Sequence, residues 1–306
     1  MDIALIRTFL EVTATGSFVS AADRLYVTQS AVSLRVQRLE ASLGRPLFTR
    51  SKAGAELTAA GREFERYALS MLKLWEEARQ QVAIPEGFTE SLSIGAQYSL
   101  WPRLGFRWLD QLRVERPHLN LRAELGMPDR LTRFLVEGVI QAALTYTPQI
   151  RPGLSVEQVL DEELVLVAPW SDKRQITPDH YVFVDWGPEF VRAHAMHLPH
   201  LTNTGMTLSL GAMAVDFIQT RQLAAYLPVR AVKPLIDRGE LFLIADAPIF
   251  PYPAWVVWRD DLPTNVREYA SKTLENVVAT AETEQSSVLD QLDKISAEEV
   301  ETLGRA

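Results

Sequence analysis

Helix-start and helix-stop signals between residues 16 and 61 constrain this chain more than any other feature. Ser17 is a favourable N-cap for a short helix over residues 18–25, because its hydroxyl can accept a hydrogen bond from a free backbone amide. Thr28 is a second favourable N-cap, and Gly44 can end the longer helix that follows it. Two helices joined by so short a connection predict a helix-turn-helix.

Apolar residues along these helices recur at the spacing of a single helix face. The stripe of the second helix comprises Val32, Val36, Leu39 and Leu43, and the first helix with its turn supplies Ala21, Ala22, Leu25 and Val27. A preceding helix carries the stripe Leu5, Phe9 and Val12. Because alanine side chains are small, these helices can cross closely. The pattern predicts a core of three helices.

The second helix is predicted to keep one edge exposed near its N-terminus. The residues of this edge are Thr28, Gln29, Ser30, Ser33, Leu34 and Arg35. In a helix-turn-helix, this end of the second helix enters the major groove of DNA. Glutamine can pair with adenine, arginine with guanine or phosphate, and Leu34 can touch a thymine methyl group. Thr28 and the helix N-terminus suit a phosphate oxygen.

A short hairpin is predicted after the second helix. The pairs Leu47-Phe48 and Glu56-Leu57 would form its two strands, and residues 51–54 its turn. Arg50 and Lys52 lie at the tip of this hairpin, where they would form a basic wing on the DNA backbone.

This stretch resembles the N-terminal domain of LysR-type transcriptional regulators. The residues that carry the resemblance are Ala21-Ala22, Leu25, Gln29-Ser30-Ala31-Val32-Ser33, Leu39-Glu40, Leu43-Gly44, Leu47-Phe48-x-Arg50 and Leu57-Thr58-x-x-Gly61. Their order, spacing and N-terminal position make the match far more specific than a bare helix-turn-helix pattern. The resemblance implies a winged helix-turn-helix DNA-binding domain over residues 1–58. The alternative is a three-helix bundle that binds no nucleic acid.

A long helix is predicted to follow, from a cap at Thr58 to about Val82. Its apolar positions alternate by four and three, as in the seam of a coiled coil. The seam comprises Phe64, Ala68, Met71, Trp75, Ala78 and Val82. The helix could pack on its own C-terminal domain, or it could pair antiparallel with a second copy, as the resemblance implies for a linker helix. We predict a linker and hinge over residues 59–87, because Pro85 and Gly87 break the helix.

Residues 88–306 alternate between strand and helix patterns, which predicts an α/β fold. Their layout resembles the two-lobed effector domain of the same family, which is similar to periplasmic binding proteins. The resemblance implies a first lobe at about 91–162 plus 266–282 and a second lobe at about 163–265. An acidic tail over 283–306 extends past the usual end of the family pattern, so the resemblance implies no role for it. The tail could be a packed terminal helix or a tether to another subunit. Residues 185–190 and 99–101 also resemble a subgroup that includes a repressor of flagellar genes.

Open α/β sheets bind ligands beyond the carboxyl ends of their strands. Residues at such loops, most of them polar, form the candidate effector site. The resemblance implies effector contacts here, because the matching positions carry them in relatives. These residues are Gln97, Ser99, Leu100, Thr145, Thr147, Asn203 and Thr204. Alternatively, they are N-caps and turn residues. A small-molecule co-inducer of unknown identity is expected, and no cofactor.

Net charge is −8, but the charge is distributed unevenly. Residues 1–58 hold seven Lys/Arg against five Asp/Glu, whereas residues 282–306 hold two against seven. Because phosphate neutralisation supplies much of the affinity for DNA, so weakly basic a module is expected to act in two or more copies. We therefore expect this chain to bind double-stranded DNA as a homodimer, and two such dimers to form a homotetramer. RNA polymerase is a possible further partner.

The chain contains no cysteine, no long uncharged apolar run and no signal-peptide pattern at its N-terminus, so a cytoplasmic location is expected.

Alternative functions find little support. No nucleotide-binding, hydrolase or zinc-protease motif occurs, so no catalytic residue is assigned. A solute-binding protein would have no use for a DNA reader. The spacing of His194, His197 and His200 could hold a metal, but Pro199 interrupts the helix, and we expect no metal site.

Overall fold

The computed structural model describes residues 2–51, 54–172, 176–202, 204–245 and 247–303, and the side chains of these residues except 50, 51 and 296–303. The chain divides into two compact units. The first unit comprises Met1–Ser91 together with Arg133–Ile140, and the second comprises Leu92–Thr132 with Gln141–Ala306. Each unit is described separately below.

The first unit begins with the predicted three helices. Its elements are α1 (Ile3–Thr15), α2 (Phe18–Leu25), α3 (Gln29–Leu43), β1 (Phe48–Ser51), β2 (Gly54–Leu57) and α4 (Ala59–Val82). The three expected N-caps are present: Ser17, Thr28 and Thr58 each accept a hydrogen bond from the amide three residues further on. Gly44 ends α3 in the left-handed conformation, with φ of 68°. These local signals explain where the helices start and stop.

The core of the first unit lies where α1, α2, α3 and α4 meet. Val32, Val36 and Leu39 are fully buried, as their spacing predicts. Phe9 contacts the rings of Phe48 and Phe64 at centroid distances of 5.3 and 5.1 Å, and so joins the hairpin and α4 to the helices. Leu43 was expected in the same stripe but is 39% exposed, because the last turn of α3 extends beyond this core.

The second unit contains two lobes, each with its own sheet. Its strands are β3 (Glu90–Ala96), β4 (Leu119–Leu125), β5 (Ala142–Thr145), β6 (Leu154–Leu160), β7 (Glu163–Ala168), β8 (Phe183–Val184), β9 (Thr207–Leu208), β10 (Ala225–Pro228), β11 (Phe242–Leu243), β12 (Phe250–Pro251) and β13 (Ala254–Arg259). Its helices are α5 (Phe106–Glu115), α6 (Pro128–Val136, whose last turn belongs to the first unit), α7 (Pro188–His197), α8 (Ala214–Arg221), α9 (Val229–Asp237) and α10 (Thr264–Leu303).

Strand order distinguishes the two lobes. The sheet of lobe I has the order β4-β3-β5-β13-β6, and the sheet of lobe II has the order β10-β7-β11, with β12 also on β7. The chain leaves lobe I between β6 and β7, close to Glu162 as expected. It returns at β13, earlier than the expected return near Val266. The reason is that β13 pairs antiparallel with both β5 and β6, which places it inside the sheet of lobe I.

Two predicted helices begin later than expected. The sequence pattern of residues 100–114 predicts a helix, but α5 starts at Phe106, because Pro102 adopts an extended conformation and Arg103 a left-handed one with φ of 64°. The pattern of residues 208–218 likewise predicts a helix, but α8 starts at Ala214, after the short strand β9 and a single 3-10 turn. In both cases the sequence pattern gives the apolar face correctly but not the first turn.

Residues 283–303 of the acidic tail continue α10. The part of the tail that reaches Leu292 is packed, which is the first of the two alternatives. Leu274 and Val277 lie in the core of lobe I, whereas Val288 and Leu292 lie in the core of lobe II. Among the described residues, no helix is long and apolar enough to cross a membrane.

His194 lies in the core of lobe II, where it is 1% exposed. Its Nε2 is 2.8 Å from the hydroxyl of Tyr181, and its ring is surrounded by Phe183, Phe190 and Tyr226. Burial, followed by the nearby His200, lowers the pKa of His194 to about 4. The imidazole is therefore neutral in the folded protein at neutral pH.

This burial predicts that acid destabilises lobe II. Between the ordinary histidine pKa of about 6.5 and pH 4, the unfolded chain binds a proton at His194 that the folded chain does not. The free energy of unfolding should therefore fall as pH decreases through this window. His194→Gln, which cannot titrate, should flatten that part of the pH profile in urea unfolding. An unaltered slope in His194→Gln would contradict the assignment.

Candidate nucleic-acid interface and interlobe cleft

The N-terminal edge of α3 is available to a ligand. Thr28, Gln29 and Ser30 are exposed, Leu34 is 48% exposed, and Ser33 and Arg35 are half-buried. The six residues predicted to contact DNA thus share one end of α3, and the opposite face of the helix is buried in the core. Thr28, Gln29 and Ser30 present polar side chains outside that core, which is the arrangement needed to read a groove.

Hydrogen bonds hold part of this edge in place. The hydroxyl of Thr28 accepts from the amide of Ala31 at 3.2 Å and lies 2.9 Å from the hydroxyl of Ser30. Nη1 of Arg35 donates to the buried hydroxyl of Thr8 in α1 at 3.4 Å. Because Arg35 is anchored at this point, its guanidinium has less conformational freedom to lose on binding a phosphate or base.

The hairpin β1–β2 is antiparallel and forms the predicted wing. Glu40 in α3 fixes its base, because Oε1 accepts from the amides of Leu47 at 2.7 Å and Phe48 at 3.2 Å. Gly54 lies so close to Gly16 that a Cβ atom would come within 2.5 Å of the Gly16 carbonyl oxygen. The side chain of Arg50 and all of Lys52 fall outside the described residues, so their predicted roles stay predictions.

Two buried glutamates connect the helices of the first unit. Glu11 in α1 pairs with Arg24 in α2 at 3.1 Å and with Arg133 at 3.4 Å. Glu76 in α4 is 1% exposed and pairs with Arg7 in α1. Sequence reasoning missed these residues, since the partners lie 13 to 122 positions apart. A buried carboxylate stays charged only when it is paired, so these bonds fix the angles between α1, α2 and α4.

The faces of α4 differ from the predicted seam. Phe64 and Ala68 lie in the core of the first unit with 8% and 0% exposure, so they cannot contact a second chain. The seam is displaced because α4 also packs on α1 and buries one face. Trp75, Ala78 and Val82 remain exposed as predicted, and Met71 is half-buried. With them, Tyr67 at 56% and Leu74 at 67% exposure complete an apolar stripe on one side of α4.

The polar residues predicted to bind an effector in lobe I lie together. Oε1 of Gln97 accepts from the hydroxyl of Thr145 and from the amide of Tyr146, both at 2.7 Å. The amide of Thr147 donates to the hydroxyl of Thr145 at 3.1 Å. Leu100 instead belongs to the apolar core of lobe I. These contacts also make Gln97 a cap for the end of β5, so the residue has a structural role as well.

No contact among the described residues joins the predicted effector residues of lobe II to Gln97, Thr145 and Thr147. Thr204 donates its hydroxyl to the carbonyl of Met206 at 3.0 Å, as a turn residue does. Asn203 lies outside the described residues. Ser99 does reach lobe II, because its Oγ accepts from the amide of Ala212 at 2.9 Å.

A buried ion pair that the sequence did not indicate lies between the lobes. Arg230 of α9 and Glu162 have side-chain exposures of 2% and 0%, and Nε of Arg230 is 3.0 Å from Oε1 of Glu162. Arg230 also donates to the hydroxyl of Tyr146 at 2.9 Å and to the carbonyl of Ser99 at 2.9 Å. Burial alone would lower the pKa of Arg230, but Glu162 and Tyr146 outweigh burial and raise it. Arg230 is therefore charged and bound by its own protein.

His194, His197 and His200 differ in their surroundings. His194 is buried beside Tyr181, and His197 and His200 lie outside that core. Among the described residues, no cluster of three or more His, Cys, Asp or Glu side chains could hold a metal ion.

Comparisons with known proteins match both parts of the chain. A family model described as bacterial regulatory helix-turn-helix protein, lysR family, matches residues 3–62, and one described as LysR substrate binding domain matches residues 85–270. The HTH-type transcriptional regulator HdfR of Yersinia enterocolitica is 30% identical over 297 residues, covering 92% of this chain and 99% of the relative. HdfR of Salmonella schwarzengrund is 31% identical over 261 residues, covering 84% and 92%.

Solved structures support the same fold. A full-length OxyR variant from Pseudomonas aeruginosa superposes with a TM-score of 0.53 at 22% identity, covering 91% of this chain and 97% of that chain. Full-length LysG from Corynebacterium glutamicum with bound effector Arg has a TM-score of 0.53 at 20% identity, covering 92% and 99%. At such identities the likeness concerns the fold alone.

The exposed stripe of α4 predicts an effect on subunit association. Combining Leu74→Glu with Trp75→Glu places two charges on this apolar side, and burying them in an interface would cost several kcal/mol. We expect the molar mass measured by light scattering to fall towards that of one chain. Arg66→Glu also introduces a glutamate on α4 but lies on its polar side, and it should leave the mass unchanged. Equal masses for all three proteins would exclude this stripe as the interface.

Proposed function

The chain belongs to the LysR family of bacterial regulators, and from this membership we propose how its residues recognise DNA and an effector. It is a LysR-type transcriptional regulator with a helix-turn-helix domain and a substrate-binding effector domain, and it is not an enzyme. Regulators of this type bind DNA and small molecules and form oligomers. The resemblance inferred from residues 21–61 is thereby confirmed, and the HdfR relatives agree with the narrower likeness to the subgroup that includes a flagellar repressor. Which genes this chain regulates stays a prediction.

The N-terminal edge of α3 is proposed to enter the major groove. Gln29, Ser33 and Arg35 would contact base edges, Leu34 a thymine methyl group, and Thr28 with Ser30 the phosphates. The exposure of this edge, opposite a fully buried stripe, is the observation that carries the assignment. Arg50 and Lys52 are proposed to lie on the DNA backbone.

Two copies of the reading module are proposed to be joined through the apolar stripe of α4. A DNA-binding dimer needs its two recognition helices about one helical turn of DNA apart, so α4 would set the spacing of the half-sites. A homotetramer would then read two such sites. The unknown effector is proposed to bind between the lobes near Gln97, Thr145 and Thr147, and the predicted contacts of Asn203 and Thr204 with the effector are kept in this proposal. Contact with RNA polymerase is proposed as the route to activation, if the protein activates.

The DNA-binding residues can be tested by fluorescence anisotropy on the promoter beside its own gene. Gln29→Ala and Arg35→Ala should each weaken specific binding by about 1–3 kcal/mol, as loss of a base contact does. Thermal unfolding should change little in Gln29→Ala, because Gln29 is exposed. Arg45→Ala removes an equal charge beyond the C-terminus of α3 and serves as the matched control. If Gln29→Ala and Arg35→Ala bind like the unaltered protein, this edge does not read DNA.

The effector site can be tested by screening small metabolites for an increase in melting temperature. A ligand present at about 100 times its dissociation constant should stabilise the folded state by about 2.7 kcal/mol. Thr147→Ala, at an exposed position beside Thr145, should reduce the shift without lowering the melting temperature of the free protein. A ligand whose shift survives Thr147→Ala and Gln97→Ala binds elsewhere.

A further inference from the structure

The acidic C-terminal extension of α10 connects the cores of the two lobes. The part of the helix from Val266 to Ala281 belongs to the core of lobe I. About two to three turns later, Val288 with 0% and Leu292 with 7% exposure belong to the core of lobe II, and Leu289 packs against it. A single uninterrupted helix therefore has one half seated in each lobe.

Polar contacts fix the helix at the point where it crosses. Glu284 pairs with Arg103 at 2.9 Å and with Arg107 at 2.8 Å, both from lobe I. Burial alone would raise the pKa of Glu284, but hydrogen bonds from Arg107 and Arg103 lower it, so the carboxylate stays ionised. Nε2 of Gln285 donates to the carbonyl of Asp161 at 2.6 Å, in the connection between the lobes.

The cleft beside this crossing is closed by the protein's own groups. The amide of Ala212 in lobe II donates to Ser99 in lobe I, and the guanidinium of Arg230 in lobe II donates to the carbonyls of Ser99 and Pro102 in lobe I. These bonds form only at one relative placement of the lobes. An opening of the cleft would have to break them.

We propose that residues 282–295 of α10 are an interlobe brace that holds the cleft closed in the free protein. A helix is stiff along its axis, so the lobes cannot rotate apart while both of its halves remain seated. Opening requires Val288 and Leu292 to leave lobe II, or Glu284 to leave Arg103 and Arg107. The effector response would then include displacement of the brace.

This regulatory meaning rests on the proposed effector role of the cleft, but the brace itself can be tested without effector or DNA. Hydrogen–deuterium exchange of the full-length protein, read by mass spectrometry on peptides that contain residues 210–213, reports how often the Ala212 amide loses Ser99. Glu284→Gln removes the charge at the crossing and should speed this exchange about threefold to fivefold. Val288→Ala combined with Leu292→Ala should speed it more than about tenfold.

Two substitutions on the same helix serve as controls. Glu282→Gln and Asp290→Ala change charge at positions of α10 outside the crossing contacts and should leave the exchange of residues 210–213 unchanged. Peptides from β7 and β10 show whether lobe II stays folded. If the Val288→Ala and Leu292→Ala protein unfolds lobe II, Glu284→Gln alone decides the outcome.

The brace would be disproved by one pattern. In that pattern, residues 285–295 exchange faster in the variants, so the helix end has detached, while residues 210–213 exchange as slowly as in the unaltered protein. A restored slow exchange in Glu284→Arg combined with Arg103→Glu and Arg107→Glu would support the ionic part of the brace, because the swapped cluster keeps opposite charges. If the exchange experiments contradict the brace, the proposals about DNA binding and effector binding are unaffected.

Discussion

The burial of one face of α3 is the constraint on which the rest of this structure depends. Val32, Val36 and Leu39 have no exposure, and removing their surface from water supplies on the order of 1.5–3 kcal/mol for each side chain. A helix held by one face must present the other, so the polar residues at its N-terminus face solvent. The exposed edge of α3 is thus a consequence of packing and needs no further stabilisation. Glu40 extends the same constraint to the wing by capping two of its amides.

Local signals made most of this unit predictable from sequence. Ser17, Thr28 and Gly44 act within a single turn of chain, so their effect does not depend on the rest of the fold. The seam of α4 was harder to place, because apolar residues at Phe64 and Ala68 fit a dimer interface and an internal core equally well. Only the position of α1 against α4 decides between these two uses, and that position is a property of the folded unit.

Dependence on the folded structure also explains why the sequence did not indicate the ion pair between the lobes. Arg230 and Glu162 are 68 positions apart, and neither sits in a pattern that distinguishes it from the many charged residues on the surface. The return of the chain to lobe I was also misplaced, since β13 reads equally well as a strand of either sheet. Its assignment follows from pairing with β5 and β6, which a periodicity cannot reveal. The expected effector residues Gln97, Thr145 and Thr147 lie together because Gln97 follows β3 and the other two lie at the end of the neighbouring strand β5.

The buried pair of Arg230 and Glu162 selects one relative placement of the lobes more than it stabilises the fold. Removing two charges from water costs several kcal/mol for each ion, and their attraction with added hydrogen bonds roughly offsets this cost. Apolar side chains of the same size would therefore hold the lobes together about as well. They would, however, tolerate a range of lobe angles, because apolar contact has no direction. Arg230 has acceptors in Glu162, Tyr146 and the carbonyl of Ser99 at a single placement of α9 against lobe I, so any other angle leaves a buried charge without partners. A domain with such a pair has one strongly preferred closed form, and a ligand that opens it must supply new partners for the arginine or admit water to it.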